Sequence, residues 1–264
     1  LLAYDDLIEN NNRRIKVLEK MAQAIYKEWF LKFRFPGHED VEMVDSELGE
    51  VPKGWKIARL GEIFEIHKGK SYKSSELSDK EGIAFANLKC INRGGGFKTS
   101  GLKRYLGKYN ENQEVSNGDI IVAVTDMTQK REIVGRPARV PKTKENKMVI
   151  SLDLVRIKPK YEFYNTYIYG LMKYSKFGDE IKQFANGVNV LHLKPTVIED
   201  YISLVPSNHI CNQYHDIVGE FYDLMDTLLL KNDKLIATRN IILPKLISGE
   251  IDVTDLDIPE AING

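Results

Sequence analysis

The chain has 264 residues, with 42% apolar and 29% charged side chains. That is an ordinary balance for a globular protein with a buried core, and too much apolar content for a disordered one. No apolar run approaches the ~18 residues a membrane span needs, and no signal peptide opens the chain, so no membrane partner is expected and the cytoplasm is the default location. Lys plus Arg equals Asp plus Glu at 38 each, yet the zero net charge conceals a split. Lys53 to Val205 holds 27 basic and 17 acidic residues, and the flanks hold 11 and 21. A basic middle between acidic ends suits a middle that meets a polyanion. Cys90 and Cys211 are too few for a disulfide framework and read as reduced thiols.

Residues 1–35 read as one long helix. Leu1, Tyr4, Ile8, Ile15, Leu18, Ala22, Ile25 and Trp29 step by threes and fours, and Asn11 fills the one missing position. This is a heptad seam of about four repeats, in which a single Asn costs stability but fixes register. Pro36 and Gly37 end it. Residues 36–54, polar, acidic and punctuated by Pro and Gly, read as a linker. Trp55 anchors the start of a domain.

Residues 55–205 read as a mixed, strand-rich domain, with strands expected at Ile83–Leu88, Asp119–Val124, Glu132–Val134, Val149–Ile157 and Val197–Val205. Tyr161 to Phe184 has helical spacing; its aromatics suit a core, with base stacking as the other option. From Asn208 a second seam runs through Cys211, Tyr214, Val218, Phe221, Met225, Leu228, Asn232, Leu235, Arg239, Ile242 and Leu246. Pro244 is expected to kink or stop that helix, with Ser248-Gly249 as the terminator, in a segment 206–251. Residues 252–264 read as an acidic tail. The fold class is therefore α+β: one strand-rich domain flanked by two long coiled-coil-type helices, packed antiparallel on each other or against helices of another chain.

Three passages resemble the specificity subunits of Type I restriction–modification systems. Ile8 to Phe35, with Asn11-Asn12-Arg13-Arg14-Ile15 and Tyr26-Lys27-Glu28-Trp29-Phe30, resembles that family's central spacer. Val51-Pro52-Lys53-Gly54-Trp55-Lys56 with Leu60-Gly61-Glu62-Ile63 resembles the opening of a recognition domain. Leu243-Pro244-Lys245-Leu246-Ile247-Ser248-Gly249-Glu250-Ile251 resembles the end of the C-terminal spacer. The resemblance implies a half-subunit ordered spacer, recognition domain, spacer. It also implies double-stranded DNA as ligand, and methyltransferase subunits, with restriction subunits through them, as protein partners. The sequence opens on Leu1 rather than Met and so reads as a piece of a longer chain; the resemblance implies a second recognition domain, supplied by that longer chain or by a dimer of this half. The alternative is a coiled-coil scaffold whose basic domain binds a protein.

Candidate DNA-contacting residues come from four polar loops. They are Lys68, Lys70, Ser71, Tyr72 and Lys73; Asn92, Arg93 and Lys98 around Gly94–Gly96; Lys130, Arg131 and Arg136; and Asn186, Asn189 and His192 around Gly187. Arg and Lys suit phosphates and guanine, and Asn suits adenine. No chemistry of the chain's own is expected. There is no Pro-Pro for an adenine methyltransferase motif, no Walker lysine and no Gly-x-Gly-x-x-Gly, so no cofactor is implied. Asp126 with Glu145-Asn146-Lys147 is a poor nuclease site. His209, Cys211 and His215 lack a fourth metal ligand, so no metal is expected.

Overall fold

The computed structural model describes residues 2–128 and 130–251; the acidic segment 252–264 and Leu1 lie outside the described residues. Five α-helices occur among them: α1 (Leu2–Tyr26), α2 (Tyr164–Tyr174), α3 (Phe177–Ile181), α4 (Pro195–Glu199) and α5 (Asn208–Ile247). None is long and apolar enough to cross a membrane.

α1 and α5 pack on each other antiparallel within the chain, as the cross-helix pairs Asp5 with Arg239, Asn11 with Asn232 and Trp29 with Tyr214 require. At ~1.5 Å per residue, α5 with its 40 residues is about 60 Å long. All of the seam positions from Tyr4 to Trp29 and from Cys211 to Leu246 are buried or half-buried. Asn11 Nδ2 donates to Asn232 Oδ1 at 2.8 Å, and Asn232 Nδ2 donates to Asn12 Oδ1 at 3.0 Å. The two seam asparagines therefore satisfy each other, which holds one register against a one-turn slip. Pro244 stays inside α5; one turn from the end, its missing N–H is a small loss. Gly249, at φ 74°, then ends the helix.

The helices are not separate rods beside a head. Their inner ends share one core with it: Ala22, Tyr26, Trp29, Phe30 and Phe35 from the first segment, and Ile210, Cys211, Tyr214, Val218 and Tyr222 from α5. α1 loosens into a single π turn at Lys27–Leu31, which brings the consecutive Trp29 and Phe30 both inward. Phe30 meets Tyr26, Trp29, Trp55, Tyr167 and Tyr214 at centroid separations of 4.8 to 6.3 Å. Each well-placed ring pair adds ~0.5–1.5 kcal/mol beyond its burial. The outer parts of α1 and α5 project as a two-helix arm.

Two sheets build the head. The first is antiparallel, in the order Pro137–Arg139, Ile120–Ala123, Leu154–Pro159, Phe64–Lys68. The second runs Leu77–Ser78, Lys103–Tyr105, Ile83–Ala86, Lys147–Ile150, Glu114–Ser116, with one parallel pair in its middle. Lys56–Arg59 pairs with Ile202–Val205, so the entry and exit of the head lie side by side.

Several expected elements differ. Residues 36–54 are no bare linker, since Met43–Ser46 and Gly49–Pro52 form a hairpin. Glu132–Val134 is loop, its amides turned onto the Asp126 carboxylate, and the strand falls at Pro137–Arg139. Val149–Ile157 is two strands in two sheets, broken by a turn at Ser151–Asp153. Val197–Val205 begins as α4, where Pro195 at the first helical turn favours helix.

Candidate nucleic-acid interface

The four basic loops converge on one short strand, Thr125–Asp126. It pairs antiparallel with Leu191–His192, so the second half of the 186–192 hairpin lies beside it. Asp126 lines a cleft of about 760 Å³ with Lys89, Asn92, Arg93, Lys98, Ser100, Met127 and Thr128. The neighbouring Thr125 lines a hollow of about 210 Å³ with Lys68, Leu152, Asp153 and His192. The second loop thus lines the first concavity, which the third reaches through Ile133 and not through Lys130, Arg131 or Arg136; Lys68 of the first loop and His192 of the fourth meet in the second.

Asp126 organises the third loop from inside. It is fully buried and accepts hydrogen bonds from the Thr128 amide (2.7 Å) and hydroxyl (2.8 Å) and from the amides of Ile133 (2.7 Å) and Val134 (3.1 Å). Burial alone raises its pKa; these donors outweigh burial and hold the carboxyl below its ordinary value. This ties Thr128, Ile133 and Val134 to one carboxylate, with Met127 and Lys130 exposed. Asp126 is a structural acceptor, Glu145 pairs with Arg104 at 2.7 Å, and no acidic or His/Cys cluster suited to a metal occurs among the described residues. His215 Nδ1 bonds the Thr166 hydroxyl at 2.8 Å. Cys211 and Cys90 are free and buried; burial pushes the Cys90 thiol up to about 11 and that of Cys211 higher still, so both are inert.

In the second loop the backbone folds on itself: Asn92 N donates to Gly96 O (2.9 Å) and Gly96 N to Pro137 O (2.8 Å). The Asn92 amide donates weakly to Phe97 O (3.3 Å), and the exposed Arg93 sits 3.3 Å from Glu132. The fourth loop is a hairpin closed by paired bonds between the backbones of Asn186 and His192. Its tip carries Val188 and Asn189 outward. Gly187 has φ 150°, and a Cβ there would lie 2.0 Å from Val190 O, so no other residue fits.

The first loop divides. Lys68, Ser71 and Lys73 are exposed, whereas the Lys70 backbone bridges to Ser151 and Tyr72 packs edge-on against Phe85 at 4.8 Å. Gly69 is small because of the chain's own backbone: a Cβ would lie 2.0 Å from Ser151 O. In the third loop, Arg131 Nη1 donates to Gln183 at 3.2 Å, and Arg136 is ion-paired to Asp179 at 2.6 Å. The Arg136 charge is thus spent within the head. Lys89, Ser100, Met127 and Thr128 line the main cleft and were not singled out from sequence; an Asp-x-Thr pattern at 126–128 is the one local sign of the stapled turn. Of the aromatics of α2, Tyr164, Tyr167 and Tyr169 are core.

Where loops and arm meet, Lys173 and Arg139 are prominent. Lys173 Nζ donates to Gly95 O (2.8 Å) and Gly94 O (3.2 Å) and lies 3.9 Å from Glu19 of α1. Burial lowers its pKa, and Glu19 opposes the shift. Arg139 pairs with the buried Asp226 of α5 at 2.7 Å and lies over the Tyr222 ring, 5.2 Å from its centroid.

A strand-rich head carrying exposed basic loops is thus set on an antiparallel two-helix arm. The chain belongs to the Type I restriction modification DNA specificity domain family, whose model matches residues 52–236. It is 26% identical over 258 residues to the Type I restriction enzyme MjaIX specificity subunit of Methanocaldococcus jannaschii, covering 96% of this chain and 57% of that protein. It is 31% identical over 140 residues to the MjaVIII specificity subunit of the same organism, covering 52% of this chain and 31% of that one. The fold is similar to a solved Type I restriction–modification S subunit from M. genitalium, with a TM-score of 0.60 at 14% identity, covering 92% of this chain and 57% of that one. A chain from a solved Type I R-M assembly gives a TM-score of 0.50 at 16% identity, covering 92% and 55%. The chain spans little more than half the length of the MjaIX specificity subunit and of these solved chains.

Proposed function

We propose that this chain reads part of a duplex DNA target for a Type I restriction–modification complex and performs no chemistry itself. The observation that carries the reading is the gathering of the exposed Lys68, Lys89, Arg93, Lys98 and His192 in two concavities on either side of the Thr125–Asp126 strand, with Lys130 and Asn189 exposed on the adjoining loops. Lysines supply phosphate affinity, while Arg93 and Asn189 are placed at loop tips, able to reach base edges. The arm holds the head at a fixed distance and offers its outer surface to methyltransferase subunits, and restriction subunits join through those. One such head reads one half of a split site; the other half falls to a second head, in a longer chain or a second copy. This reading places the work in the cytoplasm, on chromosomal DNA.

The test is duplex binding by the purified chain with a methyltransferase subunit co-expressed, across a salt series. Each neutralised phosphate contributes ~0.9 to the slope of log affinity against log salt. Arg93→Ala and Asn189→Ala should each lower preference for the methylated sequence by about 1–3 kcal/mol while leaving most of the salt slope. A flat salt response, or unchanged preference in both variants, overturns the reading. A flat response together with intact binding to a protein favours the scaffold alternative.

A further inference from the structure

We propose that Lys173 is a positioning residue that ties the Asn92–Lys98 loop to the helical arm, so that the arm sets where Arg93 and Asn92 stand; this rests on the DNA reading above. Lys173 belongs to the last turn of α2, inside the head, and its side chain is only 14% exposed. Its ammonium is too enclosed to meet a phosphate. Instead it collects the carbonyls of Gly94 and Gly95, at 3.2 and 2.8 Å. Both belong to the glycine run next to Arg93, where the backbone has the least stiffness of its own. The loop is also tied by single amide bonds to Glu132, Pro137 and Cys90, by the exposed Arg93–Glu132 ion pair and by the packing of Phe97, but Lys173 alone brings a charged side chain onto the glycine carbonyls.

On its far side Lys173 lies 3.9 Å from Glu19, which projects from the arm helix α1. The same gap, about 380 Å³, is bounded by Ile15 and Glu19 of α1, by Met225 and Asp226 of α5, and by Gly95 to Phe97 of the loop. Loop, α2 and α1 therefore meet at one ammonium, with α5 lining the other side of the same gap. A charged donor serving two carbonyls is stronger than neutral bonds. It also fails abruptly when displaced, since carbonyls left without it in a half-closed gap are poorly solvated. A shift of the arm by a fraction of a turn would move Glu19 and loosen the loop.

The experiment needs two measurements on the full chain. The first, without DNA, is amide hydrogen exchange. Lys173→Met should speed exchange across residues 92–98 about tenfold or more, while the strands Ile120–Ala123 and Leu154–Pro159 stay protected. The second compares a duplex selected by the wild type from a random-sequence pool with a bulk alternating copolymer. Lys173→Met should reduce the ratio of selected to bulk affinity about tenfold, with the salt slope unchanged. Lys173→Arg, which keeps a donor, should retain most of that ratio. Glu19 is half-exposed at the edge of the gap and outside the head core, so Glu19→Lys should act in the same direction by about two- to threefold.

Exchange at 92–98 that matches the wild type in both Lys173→Met and Glu19→Lys overturns the proposal. So does an equal loss of selected and bulk binding, or an Arg variant as impaired as the Met variant. A wild-type chain that selects no duplex refutes the DNA reading instead, and the exchange comparison still decides whether Lys173 holds the loop.

Discussion

Replacing Arg139 with Met isolates a charge buried at the root of the arm. Asp226 is 3% exposed, and its carboxyl takes the Arg139 guanidinium at 2.7 Å. Burial raises the Asp226 pKa above the ordinary carboxylate range, and Arg139 is the main influence holding it down. Without Arg139, the carboxylate is left unpaired in the core, a loss of about 3–5 kcal/mol that includes the cation–π contact with Tyr222. A group whose folded pKa is raised contributes its stability below the unfolded value, ~3.9, and loses it as pH rises through the folded value. The variant raises that folded value further. Its deficit should therefore be largest near neutral pH and shrink on acidification towards pH ~4, where Asp226 protonates in both states. Urea unfolding of wild type and Arg139→Met at neutral pH and at about pH 4.5 measures this, with free energies extrapolated to water. The double variant Arg139→Met, Asp226→Leu should recover most of the loss, because a matched apolar pair removes the buried charge. A deficit under about 1 kcal/mol, or one that is equal at the two pH values, refutes the account of this pair.

Asn11→Leu alone should cost about 1–3 kcal/mol by urea unfolding, because Asn232 keeps a buried amide with half its partners. Asn11→Leu with Asn232→Leu should recover that loss yet broaden the register, seen as more than one spacing between spin labels on α1 and α5. Asp126→Ala should cost about 2–4 kcal/mol and expose 127–133 to protease, since four donors lose their acceptor. Its carboxyl is held low, so its stabilisation is present above pH ~4 and is lost as pH falls through the folded value; the gap between wild type and variant should close in acid. Gly187→Ala should distort the exposed tip of the 186–192 hairpin at Gly187–Val190, lowering duplex affinity with little change in melting temperature as long as the buried Leu191 stays paired with Asp126.

The arm was legible in the sequence because its information is local and periodic. Threes and fours over many turns leave few alternatives, and the two asparagines mark where register is fixed. The strands were harder. Val149–Ile157 looks continuous in hydrophobicity, but Ser151 and Asp153 turn inward to a small polar network with Thr125, and the chain changes sheets there. Val197–Ile198 look like strand residues by type, and only the preceding Pro195 argues for helix. The four loops were each visible as glycine-bearing basic stretches. Their convergence was not, because it depends on Thr125–Asp126 finding Leu191–His192 across a long separation in sequence. Nor does composition separate an exposed cation from an enclosed one. Arg93 and Arg136 look alike as letters, yet Arg93 meets Glu132 at the open surface whereas Arg136 is enclosed by the head and committed to Asp179, and Lys173, which looks like an ordinary helix lysine, bonds the loop carbonyls from beneath.

The ring cluster under the arm has a practical corollary. The chain has two tryptophans, Trp29 and Trp55, and both touch Phe30. Ultraviolet emission excited at the red edge of the absorption band therefore samples one location only. A fluorophore pair seated at the shoulder would stay dark to melting of the arm's outer turns or to motion at the loop tips. It would change when the shoulder itself gives way, which makes label-free spectroscopy a selective strain gauge for that junction.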